Sequence, residues 1–329
     1  MLDLTTKFAG LNLRNPLIAA SSGLTNSLID IKEFDKAGVG AVVLKSLFEE
    51  EIRIELEKDL AQMNKESFLY PETMDFYDSY NDVDDLLTSY LKLISDAKKA
   101  VSIPIIASIN CVTAEKWPYY ATTLQDAGAD ALELNVFSLP SDLAHTPEKD
   151  EKLYFDIVEA IKDKVSIPVI LKIGYYSSNL ASLVNKLSKT EIAGITMFNR
   201  FYSPDIDIEN FQVVPSFVYS SPDELKLSLR WIALMSGRVD CDLAASTGVH
   251  DSTSLIKQIL AGADAVQVAS AFYKNGKEYA GGMLSGLETW MKKHNFNSLS
   301  DFKGKMSYAR AENPAAYERT QFMKYFAGK

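Results

Sequence analysis

The chain repeats one local pattern, in which a helix ends at glycine and a short apolar run follows at once. "AGADALELNV" at 127–136 and "AGADAVQVAS" at 261–270 are close copies, and "AGVGAVVLKS" at 37–46 is a looser one. "VSIPIIASI" at 101–109 and "VSIPVILKI" at 165–173 form a second pair. The glycine past each helix suits the left-handed capping conformation. A proline at a strand's first residue forfeits no ladder bond. A short, nearly continuous apolar run then reads as a strand covered on both faces.

Eight such runs occur, at 16–20, 40–45, 104–109, 130–136, 168–173, 193–198, 241–246 and 265–270. Helical patterns lie between most of them, including 83–100, 114–127, 151–163, 179–189, 224–236, 252–262 and 277–293. Eight β-then-α units in about 300 residues predict an α/β fold of the closed (β/α)8 barrel type. An open, doubly wound sheet is the competing reading, but no G-x-G-x-x-G follows the first run and no P-loop occurs. The expected organisation is a single barrel over 1–304, with 305–329 as a C-terminal extension whose aromatics suit packing on the barrel or on a second subunit. A homodimer is expected on that ground. Two connections, 46–82 and 200–223, are too long to be simple joins. Both leave the C-terminal ends of strands, where barrels of this kind place ligands, and long loops there serve as functional lids.

Composition narrows the function. A net charge of −10 repels phosphate backbones and argues against nucleic-acid binding. No apolar run approaches the ~20 residues of a membrane span, and the start "MLDLTTKFAG" has neither the basic nor the apolar region of a secretion signal. Cys111 and Cys241 lie 130 residues apart with no metal-type spacing, so reduced thiols, a cytoplasmic location and no metal are expected. His145, His250 and His294 share no short motif and read as structural or surface residues.

The tips of the eight runs carry the candidate site. They offer Ala20, Ser21 and Ser22, Lys45 and Ser46, Asn110, Asn135 with Ser138, Lys172, Asn199, Thr247 with Gly248, and Ala269 with Ser270. A charged residue finishing an apolar strand is costly unless it meets an anion or a polar ligand. Two lysines at one rim, with amides between them, predict a ligand site. The last two units are the usual phosphate site of this architecture. "ASTGVHDS" at 245–252 supplies Thr247 and Gly248 before a helix capped by Asp251 or Ser252, and "VASAF" at 268–272 supplies small residues that let backbone amides approach a phosphate.

These stretches, in this order and spacing, resemble the FMN-dependent dihydroorotate dehydrogenases, specifically their soluble class 1 branch, over about residues 3–303. The resemblance rests on "NPLIAAS", "GAVVLKS", "ELNVFS", "VILKI", "MFN", "STGV" and "GADAVQVASAF". It implies an FMN cofactor, hydride transfer from a dihydroorotate-like ring to flavin N5, and a place in pyrimidine biosynthesis. By resemblance, Lys45 contacts flavin and substrate, Asn135 and Asn199 grip the planar substrate and border the flavin, and Lys172 lies at the flavin N1/O2 edge. Thr247, Gly248, Ala269 and Ser270 bind the phosphate, with Ala20, Ser21 and Ser46 as further cofactor contacts. Ser138 falls where the family keeps its catalytic base. Apart from the resemblance, Cys111, at the tip of the third run, is the other, thiol-bearing candidate near the rim. A soluble electron acceptor such as fumarate is implied.

The sequence departs from the family in the substrate half of the site. Where the family has Asn-x-Ser-Cys/Ser-Pro-Asn, this chain reads Asn135-Val136-Phe137-Ser138-Leu139-Pro140, so Pro140 replaces a carboxamide. The family's second substrate stretch has no match in 64–76, "NKESFLYPETMDF", where Tyr70 and Phe76, with Tyr77 just beyond, offer stacking for a different flat ring. Two other readings stay open. One is a flavoprotein acting on a different cyclic dihydro-substrate or without pyrimidine turnover; the other is a flavin-free lyase or aldolase using Lys172 or Lys45 as a Schiff-base amine.

Overall fold

The computed structural model describes residues 2–52, 86–111, 116–136, 139–201 and 203–318. It opens with an antiparallel hairpin, β1 (Thr6–Phe8) and β2 (Leu11–Leu13). Parallel strands then follow from each of the eight predicted runs: β3 (Leu17–Ala19), β4 (Ala41–Val43), β6 (Ile105–Asn110), β7 (Ala131–Asn135), β8 (Val169–Ile173), β9 (Gly194–Met197), β12 (Asp242–Ser246) and β13 (Ala265–Val268). They are ordered β4-β3-β13-β12-β9-β8-β7-β6, and pairing of β4 with β6 closes the circle, Val42 opposite Ile105 and Val43 opposite Ile106. This is the (β/α)8 barrel. A short β5 (Leu47–Phe48) extends β6 at the rim.

Helices cover the outside: α1 (Leu28–Ala37), α2 (Leu86–Ala100), α3 (Trp117–Asp126), α4 (Pro147–Ile161), α5 (Leu180–Leu187), α6 (Leu225–Met235), α7 (Ser252–Ala261), α8 (Ser270–Asn275), α9 (Tyr279–Lys293) and a final turn, α10 (Ala315–Glu318). Sequence caps set their ends. Asp251 accepts the Ser254 N–H at 2.7 Å to start α7, and Gly262, at φ 113°, stops it. Helix α4 begins four residues before the predicted 151–163. Its first turn is polar and so escapes an apolar pattern, but Thr146 caps it, Pro147 takes the first position, and Glu148 and Asp150 suit its dipole.

Strand alternation divides the core in two. Residues such as Leu132, Leu134, Leu171, Ile195 and Val266 point outward into the main core under the helices. Ile18, Ala41, Val43, Ile106, Ala131, Ile170, Ala244 and Ala265 point into the barrel. The lower end of this inner core is closed by the N-terminal hairpin. Phe8 is fully buried among these residues, and Gly194 leaves room for its ring, since a Cβ there would lie 3.1 Å from Phe8 Cε2. Asp242, at the N-terminal end of β12, pins the hairpin by accepting the Ala9 N–H at 2.8 Å.

The 200–223 connection, read from sequence as a loop, contains a second hairpin, β10 (Pro204–Asp207) with β11 (Gln212–Pro215). Ile206 pairs with Val213 on one face of it, and both are about two-thirds exposed, at 67% and 70%. Ile208 and Phe211 at its turn are exposed as well. Among the described residues no helix is long and apolar enough to cross a membrane, and no cluster of metal-type ligands occurs.

Candidate active site

Above the apolar floor the barrel interior turns polar, because the same alternation continues through different residue types. Glu133 lies two positions above Ala131 on β7, Lys172 two above Ile170 on β8, Thr196 two above Gly194 on β9, and Gln267 two above Ala265 on β13. Lys172 Nζ donates to Gln267 Oε1 at 2.9 Å and to Glu133 Oε1 at 3.3 Å. Thr196 Oγ1 donates to Glu133 Oε2 at 3.2 Å, and Gln267 Nε2 donates to the same oxygen. Glu133 is fully buried and Lys172 is 7% exposed. An ion pair at this depth persists only when further hydrogen bonds satisfy both charges, and Gln267 and Thr196 provide them.

One layer higher stand the amides. The backbone register sets Asn135 beside Lys172 on neighbouring strands. Asn135 Nδ2 donates to Ser46 Oγ at 3.3 Å, and Asn110 Nδ2 donates to the Asn135 carbonyl at 2.9 Å. Asn199 Nδ2 donates to the carbonyls of Lys172 at 3.1 Å and Val136 at 3.3 Å, which fixes its side chain across two strand ends. Ser46 is a junction: its N–H donates to Ser21 Oγ at 2.9 Å, and its hydroxyl lies 2.7 Å from Ser108 Oγ. Asn135 Oδ1 is buried and has no hydrogen-bond partner among the described residues. A buried acceptor of that kind calls for a ligand N–H.

The third group lies after β12 and β13. Thr247 and Gly248 both take left-handed backbone conformations, at φ 75° and 78°. At Gly248 nothing but glycine fits, because a Cβ would stand 2.1 Å from Leu225 N at the start of α6. The turn therefore presses against one helix start while Ala269 and Ser270 lead into α8. Ser270 Oγ accepts the Ser220 N–H at 3.0 Å, Lys274 Nζ donates to the Ser220 carbonyl at 3.0 Å, and Ser220 Oγ lies 3.0 Å from His250 Nε2. Burial, with Lys274 nearby, holds the His250 imidazole below its ordinary value. Arg200 ties the preceding segment down, with Nε on Glu224 at 2.9 Å and its other nitrogens on the carbonyls of Phe217, Val218 and Tyr219.

These groups surround one cavity of about 640 Å³ at the C-terminal mouth of the barrel. Of the residues singled out from sequence, Ala20, Ser21, Asn135, Lys172, Asn199, Thr247, Gly248, Ala269 and Ser270 all line it. Ser46 lies behind the wall, holding Ser21 and Asn135. Lys45 does not line it; its Nζ pairs with Glu51 at 3.2 Å. Cys111 lines the cavity, and burial pushes its thiol well up, so it stays protonated at neutral pH. Ser138 and the stretch 64–76, with Tyr70, Phe76 and Tyr77, lie outside the described residues. Sequence reasoning missed Glu50, Trp117, Arg200 and Gln267 in the lining, and Glu133 beneath it. The signal for the two buried ones was present: in "DALELNV" Glu133 shares a strand face with Asn135, and in "AVQVAS" Gln267 shares one with Ala269.

The donor set fits a flavin. Backbone amides and hydroxyls at one end would suit a phosphate, Asn135 Oδ1 needs an N–H, and the Lys172 ammonium would supply a fixed cation to a bound ring that gains negative charge. Fold and site together define a (β/α)8 barrel with a polar ligand cavity at its C-terminal mouth, of the kind barrel enzymes use. The family model for dihydroorotate dehydrogenase matches residues 3–291. A Thermoplasma volcanium protein named dihydroorotate dehydrogenase B (NAD(+)), catalytic subunit, is 28% identical over 92% of this chain and 98% of its own length. A protein of the same name from Thermoplasma acidophilum is 27% identical over 92% and 99%. A candidate dihydroorotate dehydrogenase A (fumarate) from Aeropyrum pernix is 27% identical over 92% and 97%. The chain belongs to the dihydroorotate dehydrogenase family, and so to the oxidoreductases acting on CH–CH groups.

Proposed function

We propose that the protein is an FMN-dependent dehydrogenase of a small cyclic dihydro-compound, dihydroorotate or a relative of it. Oxidation removes a hydride from one ring carbon and a proton from its neighbour, leaving a C=C bond. When bound, FMN supplies the two-electron acceptor. Lys172, held between Glu133 and Gln267 at the cavity floor, is the observation that carries this reading, since a rigid positive charge in the cavity would stabilise a bound ring that gains negative charge. Its nitrogen is already engaged by two acceptors, which suits a fixed cation better than the free amine of a Schiff-base lyase. Asn135 and Asn199 orient the substrate, Thr247, Gly248, Ala269 and Ser270 hold the phosphate, and Ser138 takes the proton. The barrel over 1–304 carries the activity, with 305–329 as an extension. Electrons leave to a soluble acceptor in the cytoplasm. A homodimer is supported by the apolar face of the β10–β11 hairpin, which is exposed in the single chain.

Absorbance near the flavin maxima, followed by chromatography of the released cofactor, tests the proposal. Noncovalent FMN is expected. A colourless protein that also fails to take up added FMN overturns it.

A further inference from the structure

We infer that Gln267 is a positioning residue that holds the Lys172–Glu133 ion pair open. It thereby keeps the lysine's charge available to a bound flavin and sets how readily that flavin is reduced. The inference rests on the flavoenzyme reading above and extends it to a residue with no charge of its own.

The distances at the cavity floor run against charge. Hydrogen bonds from an ammonium to a carboxylate ordinarily close to about 2.7–2.9 Å. Here Lys172 Nζ stands 3.3 Å from Glu133 Oε1, and its shorter bond, at 2.9 Å, goes to the neutral oxygen of Gln267. Glu133 is fully buried and Gln267 is 1% exposed, so solvent does not compete for either group. Lys172 and Glu133 stand on the neighbouring strands β8 and β7, whereas Gln267 comes from β13, beyond β9 and β12. Its amide reaches across the barrel interior to both of them.

The two ends of that amide act on opposite charges. Gln267 Oε1 takes a hydrogen from Lys172, while Gln267 Nε2 donates to Glu133 Oε2 and to Thr196 Oγ1, the latter at 3.3 Å. Thr196 adds a second neutral donor to the same carboxylate oxygen, at 3.2 Å. The carboxylate is satisfied largely by neutral donors, and the ammonium largely by a neutral acceptor. A closed ion pair presents little net field to its surroundings, and one held apart leaves each charge its own. Lys172 and Gln267 line the cavity and Glu133 does not, so the charge that opening delivers to the cavity is the positive one. A positive charge beside a ring that gains electrons favours the reduced state.

The midpoint potential of the FMN-loaded protein, measured by equilibration with reference dyes, tests the inference. Gln267→Leu and Gln267→Met both remove the amide, and Met keeps its length. In each variant the ion pair should close and the flavin should become harder to reduce. The ratio of reduced to oxidised flavin at a fixed potential should fall by about 10-fold, a downward shift of about 30 mV for a two-electron couple. Thr196→Val takes a donor from Glu133 but leaves Lys172 its neutral acceptor, and should move that ratio by less than about two-fold. FMN dissociation on dilution, followed by flavin fluorescence, should stay within about two-fold of wild type in all three variants. A ratio unmoved or raised by both Gln267 variants, an equal shift in Thr196→Val, or loss of FMN from the Gln267 variants overturns the inference. Failure of the wild-type protein to hold FMN overturns the flavoenzyme reading instead.

Discussion

Lys172 and Glu133, on adjacent barrel strands, face each other at 3.3 Å in the interior of the barrel, and their remaining hydrogen-bonding capacity is taken up by Gln267 and Thr196. Neither charge can be removed alone without stranding the other. Glu133→Gln and Lys172→Met should each destabilise the fold by about 3–5 kcal/mol. The double variant should recover a large part of that loss. Chemical unfolding followed by circular dichroism measures it, and additive losses in the double variant would show that the two charges are not coupled.

Lys172 also has a chemical consequence. Under the proposed function its charge would matter most when the bound flavin became anionic, so Lys172→Ala should slow substrate-driven flavin reduction by about 100-fold or more while weakening FMN binding far less. Stopped-flow reduction and an FMN titration on the same preparation separate the two effects.

The proposed function gives the proton to Ser138. Ser138→Ala should lower the reduction rate by about 10²–10⁴-fold, the usual range for losing a general base, with the FMN content unchanged. Equal reduction rates in variant and wild type would remove Ser138 from the mechanism.

Gly248 lies where a methyl group would run into the backbone of Leu225, and its φ is 78°. Gly248→Ala should therefore strip the cofactor, with FMN content after purification reduced by at least ~10-fold. The effect reads directly as the ratio of flavin to protein absorbance.

Burial, and then the neighbouring Asp264, hold the Asp242 carboxyl above its ordinary value. A carboxyl raised on folding adds stability at acidic pH and loses it as pH rises through the folded-state value. Asp242→Asn keeps an oxygen for the Ala9 N–H and carries no charge. Wild type and variant should melt together near pH 4, and the variant should melt higher at pH 7. A pH series of thermal melts checks the sign.

The barrel was legible because a buried parallel strand must be nearly all apolar, and eight such runs at βα spacing leave few alternatives. The turn after β12 was legible for a similar reason: Gly248 is required where the backbone presses on the start of α6. The interior network was not legible. Glu133 and Gln267 each interrupt an apolar run, and only knowing which strand face turns inward shows that they meet Lys172. The two hairpins were missed because their strands are three or four residues long and half exposed. The placement of Lys45 depended on Glu51, six residues away, and nothing in strand pattern predicts that partner.

Phe8 makes the barrel a vessel with a stopper. Its ring fills the lower end, so among the described residues the cavity opens at the C-terminal mouth. If the electron donor and the electron acceptor both enter by that mouth, the first must leave before the second arrives, and an excess of either should obstruct the other.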